Sequence, residues 1–132
     1  MKIKQYISNF RECIDKSPVT YSHEIVYEER YSDILYISGF VTFIDISRLD
    51  LKEYIIFRLT DPNYVKYAYN YMDSENRLVF RYDNAMDPKA RDLPAYPEHK
   101  HTLLDGITAA HRPSFLDVLD EIKTIIITGE KG

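Results

Sequence analysis

Between Val19 and Tyr82 the chain is dominated by strand formers, and that block most constrains what it can fold into. Ile25 to Tyr31, Ile34 to Ile46, Leu51 to Leu59, Val65 to Tyr71 and Leu78 to Tyr82 are the strand candidates, with the period of two that pleated strands require. Polar segments separate them, and Asp73-Ser74-Glu75-Asn76 is a hairpin connection between the last two. Strands joined by short connections pair antiparallel with their sequence neighbours, so the block predicts a five-stranded meander. Gly39, inside the second candidate, marks a bulge or bend.

Helical patterns bracket this block. Ile3, Tyr6, Ile7, Phe10 and Ile14 fall on one face of a helix over Lys2 to Asp15. Ser17-Pro18 ends it, because the residue before a proline is biased away from helical angles. Phe115, Val118, Leu119, Ile122 and Ile126 form the apolar stripe of a second helix, with Ser114 as its cap and Asp117 favourable to its dipole. Each stripe needs a surface to bury against. The expected fold is therefore α+β: a five-stranded antiparallel meander with N- and C-terminal helices packed on one face, the other face partly exposed. A chain of 132 residues supports one core, so residues 1–132 are read as one domain with a flexible polar tail at 129–132.

Composition removes several function classes. No apolar run approaches the ~20 residues that cross a bilayer, and Arg11 and Glu12 interrupt the N-terminal stretch where a signal peptide would be apolar. A cytoplasmic protein without membrane contact is expected. One cysteine, Cys13, makes neither an internal disulfide nor a cysteine zinc site and reads as a small core residue. A net charge of −4 argues against a general polyanion binder. From Arg77 to Arg112, however, six basic residues face five acidic ones, a balance that permits a local anion site. No glycine-rich phosphate loop follows a strand, and no serine sits in a nucleophile elbow.

The chemistry-bearing groups gather between Arg77 and His101, in the string RLVFRYDNAMDPKARDLPAYPEHKH. Met86 to Thr108 reads as a long loop punctuated by Pro88, Pro94 and Pro97, and loops of that length are usually functional or disordered. His99 and His101 are the candidate base and acid for phosphodiester cleavage, since imidazole supplies both protonation states near neutral pH. Lys100 and Arg81 are the candidate phosphate cations, and Asp83 would orient a histidine. On an extended segment His99 and His101 share a face while Lys100 points away, which makes the full string hard to assemble at one point.

Each of these residues has a plainer reading. His99 and His101 are also consistent with a solvated loop, or with Asp83 or Glu98 in a zinc site. Arg81 and Asp83 form a strand-end ion pair, and Asp83-Asn84 an Asx turn. Tyr67, Tyr69 and Tyr71 share a strand face, where they either stack nucleobases or fill one layer of the core; the core is favoured. Asn84 and Arg77, at the two ends of the fifth strand, join the tyrosines as candidate RNA contacts. Asp45, Asp50 and Glu53 suggest a Mg²⁺ cluster but read more simply as polar hairpin residues. His111, just before the second helix, is a candidate third imidazole.

Three strings together resemble the TumE-type toxins of toxin–antitoxin modules: Tyr67 to Asp73, then Leu78 to Ala85 with its RYDNA core, then Leu93 to His101, of the form L-P-x-[FY]-P-x-H-K-H. Pro113 to Leu119 is similar to the family's last helix, and the resemblance spans roughly residues 30 to 123. Arg81, Asp83, Asn84, His99, Lys100 and His101 all match. Three places depart from the pattern. Ile46 stands where a glycine is expected, which implies a different turn geometry. Asn70 and Met86-Asp87-Pro88 stand where members often carry histidine, which leaves His99 and His101 to carry most of any catalysis. The resemblance implies a small toxin held by a protein antitoxin with a DNA-binding domain, acting through RNA to arrest growth. Ribonuclease activity follows from the residues taken with that company; no cofactor or metal is expected, and a homodimer is compatible. The alternative is a non-catalytic protein that docks its partner through the sheet face and the 84–108 loop.

Overall fold

The computed structural model describes residues 2–58 and 61–129. Helix α1 (Lys2–Lys16) precedes strands β1 (Thr20–Arg30), β2 (Ile34–Phe43), β3 (Arg48–Ile56), β4 (Asn63–Met72), β5 (Leu78–Asp83), β6 (His99–Thr102) and β7 (Gly106–Ala109), and helix α2 (Phe115–Thr128) follows. The strands form one sheet in chain order, each antiparallel to its neighbours. The α+β meander is as expected, but it has seven strands rather than five. The two extra strands lie inside the stretch read as loop. Each is only four residues long, His-Lys-His-Thr and Gly-Ile-Thr-Ala. Segments so short carry no readable hydrophobic alternation; pairing with β5, and with each other, makes them strands.

Boundaries moved for local reasons. β2 stops at Phe43, not Ile46, because the chain turns: the Ile46 N–H donates to the Phe43 carbonyl at 2.9 Å, and Phe43 N–H to that of Ser47 at 2.9 Å. Ile46 sits at φ 69°, the left-handed region that suits glycine. The turn therefore keeps a glycine-type backbone angle at this position, and the different geometry expected there is corrected. Leu59, the expected end of the third strand, lies outside the described residues. Gly129 caps α2 in the left-handed conformation, and residues 130–132 of the expected tail also lie outside the described residues.

Both helices pack on one face of the sheet. Leu35, Ile37 and Val41 of β2, Leu49 and Leu51 of β3 and Tyr69 and Tyr71 of β4 meet Ile3, Phe10 and Ile14 of α1 and Phe115, Val118 and Ile122 of α2 in one buried cluster. Phe10 and Phe115 lock the helices together, with rings stacked 3.8 Å apart at an interplanar angle of 6°. Burying a side chain of this size contributes roughly 1.5–3 kcal/mol. Ser114 starts α2 with a reciprocal capping box: its hydroxyl accepts from Asp117 N–H and Asp117 accepts from Ser114 N–H. Phe40, Asp50, Lys52, Asn70 and Arg81 alternate with the core residues and project from the opposite, open face. No helix among the described residues is long and apolar enough to cross a membrane.

Candidate active site

The strand register assembles the site. Arg81 of β5 lies opposite Asn70 of β4 and opposite His101 of β6, while Asp83 lies opposite Ala68 and His99. Directly opposed residues point to the same side, as do residues two apart on a strand. Asn70, Arg81, Asp83, His99 and His101 therefore all leave the open face. The short strand β6, which sequence reasoning missed, is what brings the two histidines beside β5.

Asp83 ties two of these groups together. Its Oδ2 accepts from Arg81 Nε at 2.9 Å and its Oδ1 lies 3.2 Å from His99 Nε2. It also accepts from the Ala85 backbone N–H at 3.0 Å, which is the anticipated Asx turn. On its other side His99 Nδ1 lies 2.8 Å from the Pro97 carbonyl oxygen. Both ring nitrogens thus face oxygens. Asp83 and His99 are only 6% and 4% exposed, so neither is open to a substrate.

His101 differs from its neighbour. It is partly exposed, and its ring has no hydrogen bond or ion pair among the described residues. Beside it the Arg81 side chain is 49% exposed, its guanidinium aimed by the buried Asp83. An accessible imidazole next to an oriented cation can exchange a proton with a substrate whose phosphate the arginine binds. A zinc site is not what the geometry forms: among the described residues no three His, Cys, Asp or Glu side chains converge.

The family model of Toxin TumE matches residues 10–126. The chain belongs to the TumE toxin family. No curated protein and no solved structure matches it. Toxins of this kind imply an antitoxin partner.

The TumE strings divide between the two faces. Lys100 leaves the helix-covered side, where its Nζ lies 2.9 Å from Glu121 Oε2 of α2 and over the Tyr82 ring at 4.9 Å. Burial favours the neutral amine, but Glu121 and Tyr82 outweigh it and raise the Lys100 pKa. It does not share a face with His99 and His101 and instead bridges sheet and helix. Asn84 is occupied as well. Its Oδ1 accepts from Tyr67 N–H and its Nδ2 donates to the Val65 carbonyl, both at 3.1 Å, extending the β4–β5 pairing by a side chain. Arg77 is at the far end of β5, paired with Glu75 at 2.8 Å and Asp73 at 3.4 Å.

The tyrosine stripe is core, the reading favoured from sequence, and not a stacking platform. Tyr67, Tyr69 and Tyr71 are 2%, 0% and 1% exposed under the helices. Tyr71 donates to Ser47 Oγ at 2.7 Å, and burial pushes its phenol up to about 12. Tyr67 donates to Glu98 Oε2 at 2.8 Å. His111 pairs with the same carboxylate at 3.2 Å, so it is not a third imidazole beside Arg81.

Sequence reasoning missed a second polar cluster, under the helices. Glu53 is fully buried on β3 and accepts short hydrogen bonds from the Tyr6 and Tyr69 hydroxyls. Tyr64 donates to Tyr6 at 2.9 Å, and Arg112 donates to Tyr69 at 2.7 Å while covering the Tyr64 ring at 3.5 Å. Burial raises the Glu53 pKa against the opposing pull of Tyr6, Tyr69 and Arg112. The signal was present: Glu53 alternates with Leu51 and Ile55, so a carboxylate sits on the apolar face of a strand.

Proposed function

We propose that this TumE-family chain is the toxin of a toxin–antitoxin module and acts on RNA as an endoribonuclease through acid–base chemistry. The observation that carries the reading is His101 opposite Arg81 on the open face, with Asp83 and His99 buried behind them. His101 takes the proton of a ribose 2′-hydroxyl, and the 2′-oxygen forms a bond to phosphorus. The P–O5′ bond breaks to give a 2′,3′-cyclic phosphate and a 5′-hydroxyl, the leaving oxygen taking its proton from water. Arg81 binds the phosphate oxygens as charge develops on them. Asp83 and His99 are positioning residues that hold the guanidinium. Such a toxin works in the cytoplasm, arrests growth, and is held by an antitoxin that carries a DNA-binding domain.

The test is a purified protein incubated with total RNA. Wild type should cleave it, and His101→Ala and Arg81→Ala should each lose cleavage at least a hundredfold, His101→Ala while melting like wild type. Equal cleavage by wild type and His101→Ala defeats the assignment.

A second reading, a binding protein without turnover, is favoured by one observation. Leu103 and Leu104, at the tip of the β6–β7 turn, are 79% and 90% exposed. Apolar side chains that exposed at a hairpin tip suit an antitoxin contact. Leu103→Asp/Leu104→Asp should then abolish the toxin–antitoxin complex on size exclusion; run on the toxin alone, the same column tests for a homodimer.

A further inference from the structure

We infer that single-stranded RNA runs across the open face of β2, β3 and β4 to reach Arg81 and His101, stacking on Tyr36 and Tyr54 with its phosphates on Lys52 and Lys66. The inference takes its ligand from the endoribonuclease reading above, and concerns residues that reading does not use.

The register defines this surface row by row. Tyr36 of β2 lies opposite Tyr54 of β3, which lies opposite Lys66 of β4. In the next row Ser38, Lys52 and Ala68 lead to Asp83, and in the third Phe40, Asp50 and Asn70 lead to Arg81 and His101. All of these leave the face without helices. With strands ~4.8 Å apart and same-face residues ~6.8 Å apart, Tyr54 lies on the order of 20 Å from His101, room for a few nucleotides.

The charges on this face are arranged to suit an anion. Asp50 is held by Arg48 at 2.8 Å, Glu28 by Arg30 at 2.8 Å and Asp83 by Arg81 at 2.9 Å. Lys52 and Lys66 are exposed and have no ion pair among the described residues, in a chain where acidic residues outnumber basic ones by 21 to 17. Glu24 and Glu28 bound the face along β1, so the cationic track runs from β3 towards β6 and not outward.

Aromatic rings lie along the same track. Tyr36 and Tyr54 are both partly exposed and meet edge to face at 6.0 Å and 79°, which leaves ring surface for a base. Phe40 is covered by the Arg48 guanidinium at 4.0 Å, and a guanidinium plane itself accepts a base. Ring platforms interleaved with free lysines are the combination that single strands use, and neither duplex RNA nor an apolar protein helix needs both.

The test uses His101→Ala, so that the probe is not cut, and a fluorescein-labelled unstructured RNA of about twelve nucleotides in an anisotropy titration. Tyr54→Ala and Tyr36→Ala should each weaken binding about tenfold, while Tyr54→Phe, which keeps the ring, stays within about twofold. Lys52→Ala/Lys66→Ala should flatten the dependence of log affinity on log salt by about 1.4. Circular dichroism melts separate lost binding from lost folding. Equal binding by Tyr54→Ala, Tyr54→Phe and the parent overturns the inference, as does equal affinity for the same sequence as a duplex. A Tyr54→Ala protein that keeps RNA but loses the purified antitoxin assigns the face to a protein partner and overturns it too. RNA held on this face but left uncut by wild type would defeat the nuclease reading and leave the surface standing. Cleavage by wild type with unaltered affinity in every face variant would do the reverse.

Discussion

Asp83 and His99 oppose each other across β5 and β6 at 3.2 Å, both buried, on the same sheet face as the accessible His101. Two histidines spaced two apart thus have separate jobs. Removing a buried ring empties its site and takes a hydrogen-bonding neighbour from both Asp83 and the Pro97 carbonyl, so His99→Ala should lose about 3 kcal/mol of stability. His101→Ala, a partly exposed site without partners, should stay within about 0.5 kcal/mol of wild type. Chemical denaturation of the two variants, alongside RNA cleavage, checks the division: cleavage should vanish in His101→Ala at unchanged stability.

Lys100→Met should cost little catalysis. The ammonium ion lies on the helix side, held by Glu121, with side chains 21% and 27% exposed. Losing a partly screened pair of this kind should destabilise the fold by about 1 kcal/mol, with cleavage at saturating RNA within about threefold. A hundredfold loss in a protein that still melts normally would mean that Lys100 acts at the phosphate after all.

Much of this arrangement was legible in the sequence. Amphipathic stripes in α1 and α2 and alternation in the first five strands gave the α+β meander, and the paired strings gave the family. β6 was hidden because its inward and outward residues are Lys100 and two histidines, so polarity masked its period. The conditional expectation that Lys100 turns away from its neighbours held once the segment proved extended. Nothing in the string separated the buried His99 from the open His101, because that difference comes from Pro97 and Asp83 closing on one ring. Aromatic residues on the open face were overlooked for a related reason. Tyr67, Tyr69 and Tyr71 made the conspicuous stripe, but the stripe marked the core, while Tyr36 and Tyr54 are the single tyrosines of their strands.

Ile46 offers a route to a more stable protein. It is 73% exposed and holds φ 69°, where a β-branched side chain is strained. Ile46→Gly relieves that strain and gives up little burial, against the greater freedom of glycine in the unfolded chain. The net effect expected is stabilisation by about 1 kcal/mol, read as a rise of about 3–6 °C in thermal midpoint with unchanged cleavage. A fall in the midpoint would show that Ile46 contributes packing there.

Glu53, buried under the helices, and Glu98, half-buried just before β6, should pull stability in opposite directions with pH. Glu53 has its pKa raised by burial above the ordinary 4.5, so the folded state holds its proton more tightly than the unfolded chain. Its contribution is fully present below about pH 4.5 and is lost as pH rises through the raised folded value. Glu98 behaves the other way. Burial works against its charge, but hydrogen bonds from His111, Tyr67 and the Arg112 backbone prevail and lower its pKa. Its contribution is present above about pH 4.5 and is lost as pH falls through the lowered value. Melting midpoints from pH 3 to 8 should therefore fall less steeply towards acid in Glu98→Gln, and less steeply towards neutral pH in Glu53→Gln. Identical slopes for Glu53→Gln and wild type would mean that Tyr6, Tyr69 and Arg112 hold the buried carboxylate charged through the whole range.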